Sequence, residues 1–146
     1  GILSLKVYRW EAENNIPKDP QGYPFLSLAT SSVHDSSNLR EWLATEDGKI
    51  TGVVVSNGAV SVVQINEFLS PSMIVMIPLQ DLLALEDKLH GKAADERINV
   101  PGTVTDFNWT YRMPLSLEEL LSAQPLRDSI LSLTQQRPVL NPRSPA

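Results

Sequence analysis

Two features of the sequence predict an α/β chain built around parallel strands. Three β-prone runs, Leu5–Trp10, Phe25–Ala29 and Met73–Ile77, are separated by stretches of a dozen or more residues with helical or looped character, the length a parallel crossover needs. The carboxyl half then turns to helical patterning, which completes a strand-and-helix arrangement rather than an all-β one. No internal repeat competes with this class.

Each element has its own local warrant. Leu5-Lys6-Val7-Tyr8-Arg9-Trp10 alternates apolar and polar side chains and is rich in β-formers, so it predicts a strand. Glu11 to Tyr23 holds Asn14-Asn15, Pro17, Pro20 and Gly22, the turn chemistry of a loop. Phe25–Ala29 follows Pro24 as a short buried strand and breaks into Thr30-Ser31-Ser32-Val33-His34-Asp35. Leu39, Trp42 and Leu43 share a helical face, and Ser36 or Ser37 is placed to cap that helix.

Residues 45–69 read two ways. Ile50–Val55 and Ala59–Ile65 would make a hairpin around Asn57-Gly58, whereas Val62, Ile65, Phe68 and Leu69 fall at helical spacing over Ala59–Leu69. Met73–Ile77 is uninterruptedly apolar between Pro71-Ser72 and Pro78, the pattern of a strand buried on both faces. Leu79–Leu85 follows as a short helical turn, and Ala93–Asn108 is a loop in which Arg97 and Asn99, two apart, would project together. Ser116-Leu117-Glu118-Glu119 is a capping box that opens a helix to about Ala123. Pro125 starts another, with Leu126, Ile130 and Leu133 on one face, ending before Pro138; residues 138–146 read as a disordered tail.

Composition excludes several functions. A net charge of -5 and a pI near 4.9 leave no basic cluster to hold nucleic-acid phosphates. The longest apolar run, Met73–Leu79, contains Pro78 and is far short of the roughly 20 residues that span a bilayer. With no cysteine and only His34 and His90, disulfides, thiolate chemistry and Cys- or His-rich metal sites are excluded, and the default compartment is the cytoplasm. The chain enters its first strand within a few residues of Gly1, as expected of a piece of a longer protein.

Chemistry in an α/β protein gathers where strands end at their carboxyl side, which makes His34 and Asp35 candidates by position as well as by type. The structural alternative is an Asx turn or a helix cap at Asp35 or Ser36.

Four stretches in the same order resemble one family. Leu5–Glu11, Tyr23-Pro24 with Ser32–Arg40, Ile77–Leu83, and Arg97–Thr103 with Asn108-Trp109 and Arg112 resemble the last third of the 4-α-glucanotransferases, also called amylomaltases, of glycoside hydrolase family 77. The resemblance implies the C-terminal part of a (β/α)8 TIM barrel over residues 1–137, with barrel strand six near Lys6–Trp10, strand seven at Leu26–Ala29 and strand eight at Met73–Ile77. It favours a helix for Ala59–Leu69. Val33 stands where many members carry Thr, a departure expected to affect packing more than chemistry.

The family works on malto-oligosaccharides or α-1,4-glucans without metal or organic cofactor, by a retaining double displacement. Its nucleophilic Asp and acid/base Glu lie on earlier strands and have no counterpart here; a further Asp, which grips the donor sugar, matches Asp35. The resemblance assigns His34 as a donor to a ring hydroxyl and sets Arg97 and Asn99 beside the glucan groove, Asn99 on the sugar and Arg97 in an ion pair. Taken alone, the chain is therefore expected to be catalytically inactive, a non-catalytic carbohydrate-binding fragment being the alternative to an enzyme segment. His34, Asp35 and Asn99 should face one end of the sheet. Trp10 and Trp109 are expected in the core, with stacking on sugar rings as the alternative, and Asp81 as a helix cap or a support behind the site.

Overall fold

The computed structural model describes residues 2–14, 16–45, 63 and 66–138. In chain order these form β1 (Ser4–Val7), β2 (Ala12–Glu13), β3 (Ile16–Pro17), β4 (Ser27–Thr30), α1 (Leu39–Leu43), β5 (Ile74–Val75), α2 (Leu79–Leu83), α3 (Leu117–Ser122) and α4 (Gln124–Gln135). Short 3₁₀ turns stand at Pro20–Gly22 and Ala93–Glu96.

The three expected strands are neighbours in one parallel sheet, ordered β1-β4-β5. Ser4 to Val7 pair with Ser27 to Thr30, and Leu28 and Ala29 pair with Ile74 and Val75. The strands are shorter than their sequence patterns. β1 ends at Val7 rather than Trp10 because the amides of Trp10 and Glu11 turn back onto the Val7 carbonyl at 2.8 and 3.1 Å, and Lys6 Nζ holds Glu11 Oε2 at 3.0 Å across that turn. The loop read over Glu11–Tyr23 contains a small antiparallel hairpin, β2 with β3, with Asn14 at its tip in the left-handed region at φ 53°. Asn tolerates that conformation because its short amide bonds locally.

β5 corrects the expectation of a strand buried on both faces. Met73, Ile74 and Met76 remain 45, 38 and 59% exposed. The apolar run predicts cover that an edge strand of this sheet does not receive from the described residues.

Helix α1 presses Leu39 and Leu43, one turn apart on its inner face, against Tyr8, Val63 and Ala84, with Trp42 and Leu85 packed alongside. Tyr8 meets the Trp42 ring edge-on at 6.0 Å. Full burial stabilises each leucine by about 2 kcal/mol over exposure, so α1 is held by its tertiary face rather than by its five residues of intrinsic helicity. The Ser116/Glu119 capping box opens α3 as expected, the two bonds measuring 2.7 and 3.2 Å. Helix α4 buries Leu126 and Leu133 and half-buries Ile130, then stops before Pro138. Just beyond it, Arg137 donates to the carbonyls of Ser70 and Ser72 at 3.0 and 2.6 Å, fastening α4 to the approach of β5.

In the segment that read two ways, Val63 and residues 66–68 are helical. The Ile50–Val55 hairpin arm and the rest of 46–65, like tail residues 139–146, lie outside the described residues. Among the described residues no helix is long and apolar enough to cross a membrane.

Candidate functional site

The site is built on the loop that leaves the carboxyl end of β4. Thr30 Oγ1 donates to the Ser32 carbonyl at 2.8 Å, and the Ser36 amide closes a turn on the Val33 carbonyl at 3.0 Å, with the Ser36 hydroxyl bonded to both the amide and the carbonyl of Val33. That turn lifts His34 and Asp35 into solvent, their side chains 57 and 49% exposed.

Neither Ser36, Ser37 nor Asp35 caps α1. Asn38 does, accepting from the Glu41 amide at 2.8 Å, because the first helical residue is Leu39 and the cap must directly precede it. Ser36 is occupied in its turn, and Ser37 Oγ accepts from Arg9 Nη1 at 2.7 Å. The Asp35 carboxylate is thereby free of a capping duty.

A second loop, 97–109, folds over this turn. The Trp109 amide donates to the Ile98 carbonyl at 2.8 Å, and Asn108 accepts from the Val100 amide at 3.0 Å while donating to the Thr103 carbonyl at 3.0 Å. Gly102, at φ +76°, supplies the left-handed residue at the loop's sharp bend. The closed loop delivers two contacts. Asn99 Nδ2 donates to Asp35 Oδ1 at 2.7 Å, and the Trp109 ring lies 5.3 Å from the His34 ring, tilted 38° to it. On the other side, His34 Nε2 lies 3.3 Å from Asp35 Oδ2.

His34, Asp35 and Asn99 therefore meet at the carboxyl end of β4, as expected. Among the described residues Arg97 does not form the expected ion pair. Its Nε donates to the Asn99 carbonyl at 3.0 Å, and among the described residues no carboxylate bridges it; a guanidinium here shapes the backbone that presents Asn99. Trp10 and Trp109 are not in the core, being 58 and 62% exposed. Trp109 is also backbone-strained at φ 66°, unusual for a bulky residue and a mark of a position held by its surroundings. A cavity of about 180 Å³ opens beside the cluster, walled in part by Ser32, His34, Gln80, Glu96 and Arg97.

Two ionisable side chains, one buried and one half-buried, stand behind the loop. Asp81, on α2, is fully buried and accepts from Ser31 Oγ, Ser32 Oγ and the Leu39 amide at 2.7, 2.6 and 2.7 Å. Burial raises its pKa; the Ser32 and Ser31 hydroxyls, the Leu39 amide and the Arg9 charge oppose the rise. Arg9, beyond the end of β1, donates to the Ser37 and Asn38 carbonyls at 2.8 and 3.3 Å and lies 5.1 Å above the Trp42 ring. Burial lowers its pKa to about 10, opposed by Asp81 and Glu41 and aided by Arg97. Arg9 carries no local signal for this role, since its partners lie 28 and 29 residues away.

The model of the 4-alpha-glucanotransferase family matches residues 1–117. The chain belongs to this family. Among similar proteins are 4-alpha-glucanotransferases of Chlamydia trachomatis, 32% identical over 91% of the chain, of Chlamydia pneumoniae, 31% identical over 82%, and of Oryza sativa subsp. japonica, 29% identical over 91%. The chain spans 28, 26 and 16% of the lengths of these 4-alpha-glucanotransferases, respectively. A solved amylomaltase from Streptococcus agalactiae, in complex with acarbose, shares the fold with a TM-score of 0.70 at 20% identity, over 91% of this chain and 26% of that one.

Proposed function

We propose that residues 1–137 are the C-terminal part of the catalytic (β/α)8 barrel of a 4-α-glucanotransferase, and that Asp35 grips the donor sugar next to the scissile bond. The observation that carries this is the hydrogen bond from Asn99 to Asp35 at 2.7 Å, which fixes one carboxylate oxygen while the group stays open to solvent at the carboxyl end of a parallel sheet. A carboxylate has about four acceptor positions, so those left over can take the sugar's 2- and 3-hydroxyls. These bonds strengthen as the ring flattens toward an oxocarbenium ion, which is where they assist the reaction. His34 donates to a further ring hydroxyl from its place against Trp109, and Arg97 and Asn99 line the glucan groove.

The barrel assignment is supported by β1 and β5 standing at the two edges of the described sheet and by the exposed apolar side chains of Leu5, Ile74 and Met76. Closure of a sheet into a barrel removes open edges and covers such side chains. The nucleophilic Asp and acid/base Glu belong to the remainder of the enzyme, which transfers α-1,4-glucan segments between malto-oligosaccharides by a retaining double displacement, without metal or organic cofactor.

The test is maltotriose disproportionation by the full-length protein that contains this segment, with and without Asp35→Asn. Asparagine keeps the shape but removes the charge that faces the developing cation, so turnover should fall by about 10²- to 10³-fold with a far smaller change in KM. The 146-residue chain alone should release no glucose from maltotriose. Wild-type turnover in Asp35→Asn, or glucose release by the chain alone, would show the carboxylates to be divided otherwise.

A further inference from the structure

We propose that Asp81 is a positioning residue for Asp35: a single buried carboxylate that ties together the two limbs of the loop whose tip carries His34 and Asp35. This deepens the proposed function and rests on it.

The loop ascends through Ser31 and Ser32 and descends through Ser37 and Asn38 into α1. Asp81 reaches both limbs. Its Oδ2 accepts from the Ser31 and Ser32 hydroxyls at 2.7 and 2.6 Å, and its Oδ1 accepts from the Leu39 amide at 2.7 Å, one of the helix N-terminal donors that has no partner inside the helix. All these groups are buried: Ser31, Leu39 and Asp81 at 0% exposure and Ser32 at 4%. In such surroundings the bonds are worth more than in water, and leaving any one unmade is costly.

The Val33–Ser36 turn joins the limbs at the tip, and the remaining clamps act on one limb each. Arg9 holds Ser37 and Asn38 from the turn after β1, and Asn38 Nδ2 donates to the Ala93 carbonyl at 2.7 Å. The ascending limb is held by the Asp81 hydroxyl bonds, the Thr30 Oγ1 bond to the Ser32 carbonyl and the β4 ladder, so among the described contacts Asp81 sets the spacing between the limbs at their base. That spacing fixes the direction of the Asp35 carboxylate at the tip. Asp81 comes from α2, directly after β5, so the neighbouring strand governs a sugar contact presented by β4.

Substitution by asparagine tests the carboxylate because it reverses two of the three bonds. The Leu39 amide can only donate and therefore takes the single amide oxygen. The amide nitrogen then faces two serine hydroxyls, which must turn round to accept and send their protons to other acceptors. A displacement of about 1 Å at a reacting contact costs as much as 10²-fold in rate.

The experiment is a double-mutant cycle on maltotriose turnover in the full-length protein, using Asp35→Asn, Asp81→Asn and both together, with Ser32→Ala as a milder second variant. Asp81→Asn should lower kcat by about 10²-fold with little change in KM, and Ser32→Ala should lower it less. A residue acting through Asp35 has nothing left to position once Asp35 is neutralised, so the double variant should be no slower than Asp35→Asn alone. A purely structural residue would slow both backgrounds by the same factor. Equal factors, or wild-type kcat in Asp81→Asn or in soluble Ser32→Ala, overturns the positioning role while leaving the function of Asp35 standing. Absence of turnover in the wild type, or wild-type turnover in Asp35→Asn, overturns the functional assignment and this proposal with it.

Discussion

Trp109 offers a way to separate strain from contact at the site. Its backbone sits at φ 66° while its ring lies 5.3 Å from that of His34, so two opposed quantities meet in one residue. A residue with a Cβ pays about 1–2 kcal/mol in the left-handed region, and glycine does not. A tilted ring pair contributes about 0.5–1.5 kcal/mol beyond its buried area. Trp109→Ala keeps the strain and loses the ring; Trp109→Gly loses both. The loop 97–109 should therefore be more stable in the glycine variant than in the alanine variant by about 1 kcal/mol, roughly a fivefold difference in local opening. Native-state hydrogen exchange of the Trp109 amide, bonded to the Ile98 carbonyl at 2.8 Å, reads this directly. On the proposed function, the KM of the full-length protein for maltotriose should behave differently: both variants remove the ring that steadies His34, so both should raise it to a similar degree. Equal protection in the two variants would refute the strain assignment. A wild-type KM in both would refute the role of the ring.

Two further outcomes follow from the described contacts. Asn38→Ala removes both the cap of α1 and the bond to the Ala93 carbonyl, and should raise exchange at the Glu41 and Trp42 amides by the equivalent of about 1–2 kcal/mol; unchanged protection would contradict the cap assignment. Glu67 is fully buried, and among the described residues neither of its carboxyl oxygens finds a hydrogen-bond partner; burial first, and Asp81 second, raise its pKa well above the usual 4.5. The folded carboxyl then keeps its proton where the unfolded chain has lost it, so its contribution to stability is full below about pH 4.5 and is lost as pH rises toward the folded value. Glu67→Gln, with no proton to lose, should flatten that decline in thermal melts of the full-length protein between about pH 5 and 8; parallel curves for the two proteins would count against it.

What could be read from the sequence was decided by range. The parallel pairing of β1, β4 and β5 was legible because the intervals between them are long enough for crossovers, and their order was reached through family resemblance. The α3 start was legible because Ser116 and Glu119 signal it within three residues. The cap of α1 was not: Asp35, Ser36, Ser37 and Asn38 are four consecutive residues able to cap, and the choice among them was made by Arg9 and by the Val33–Ser36 turn. The strand ends were illegible for a related reason. Nothing in Tyr8-Arg9-Trp10 itself says that the Val7 carbonyl will be taken by a turn.

The candidate site shows the same division more sharply. His34 and Asp35 stand out as a polar pair at a strand's carboxyl end, and Asn99 was reached through family resemblance, but the bond joining Asn99 to Asp35 spans 64 residues. Trp109 was assigned to the core because large rings are mostly buried, a rule about frequency that ignores where the chain must turn. Its backbone conformation shows why the rule fails here: the loop must fold back for its amide to reach the Ile98 carbonyl, and that geometry swings the ring over His34 instead of inward. Asp81 was readable as a support because it opens a helix after a strand, yet its partners Ser31, Ser32 and Leu39 belong to the loop after β4 and the start of α1. The residues that touch the sugar in the proposed function announce themselves by type. Those that aim them do so only once two adjacent strands bring their carboxyl-end loops together, which makes parallel pairing of β4 with β5 a condition of the site's geometry as well as of the fold.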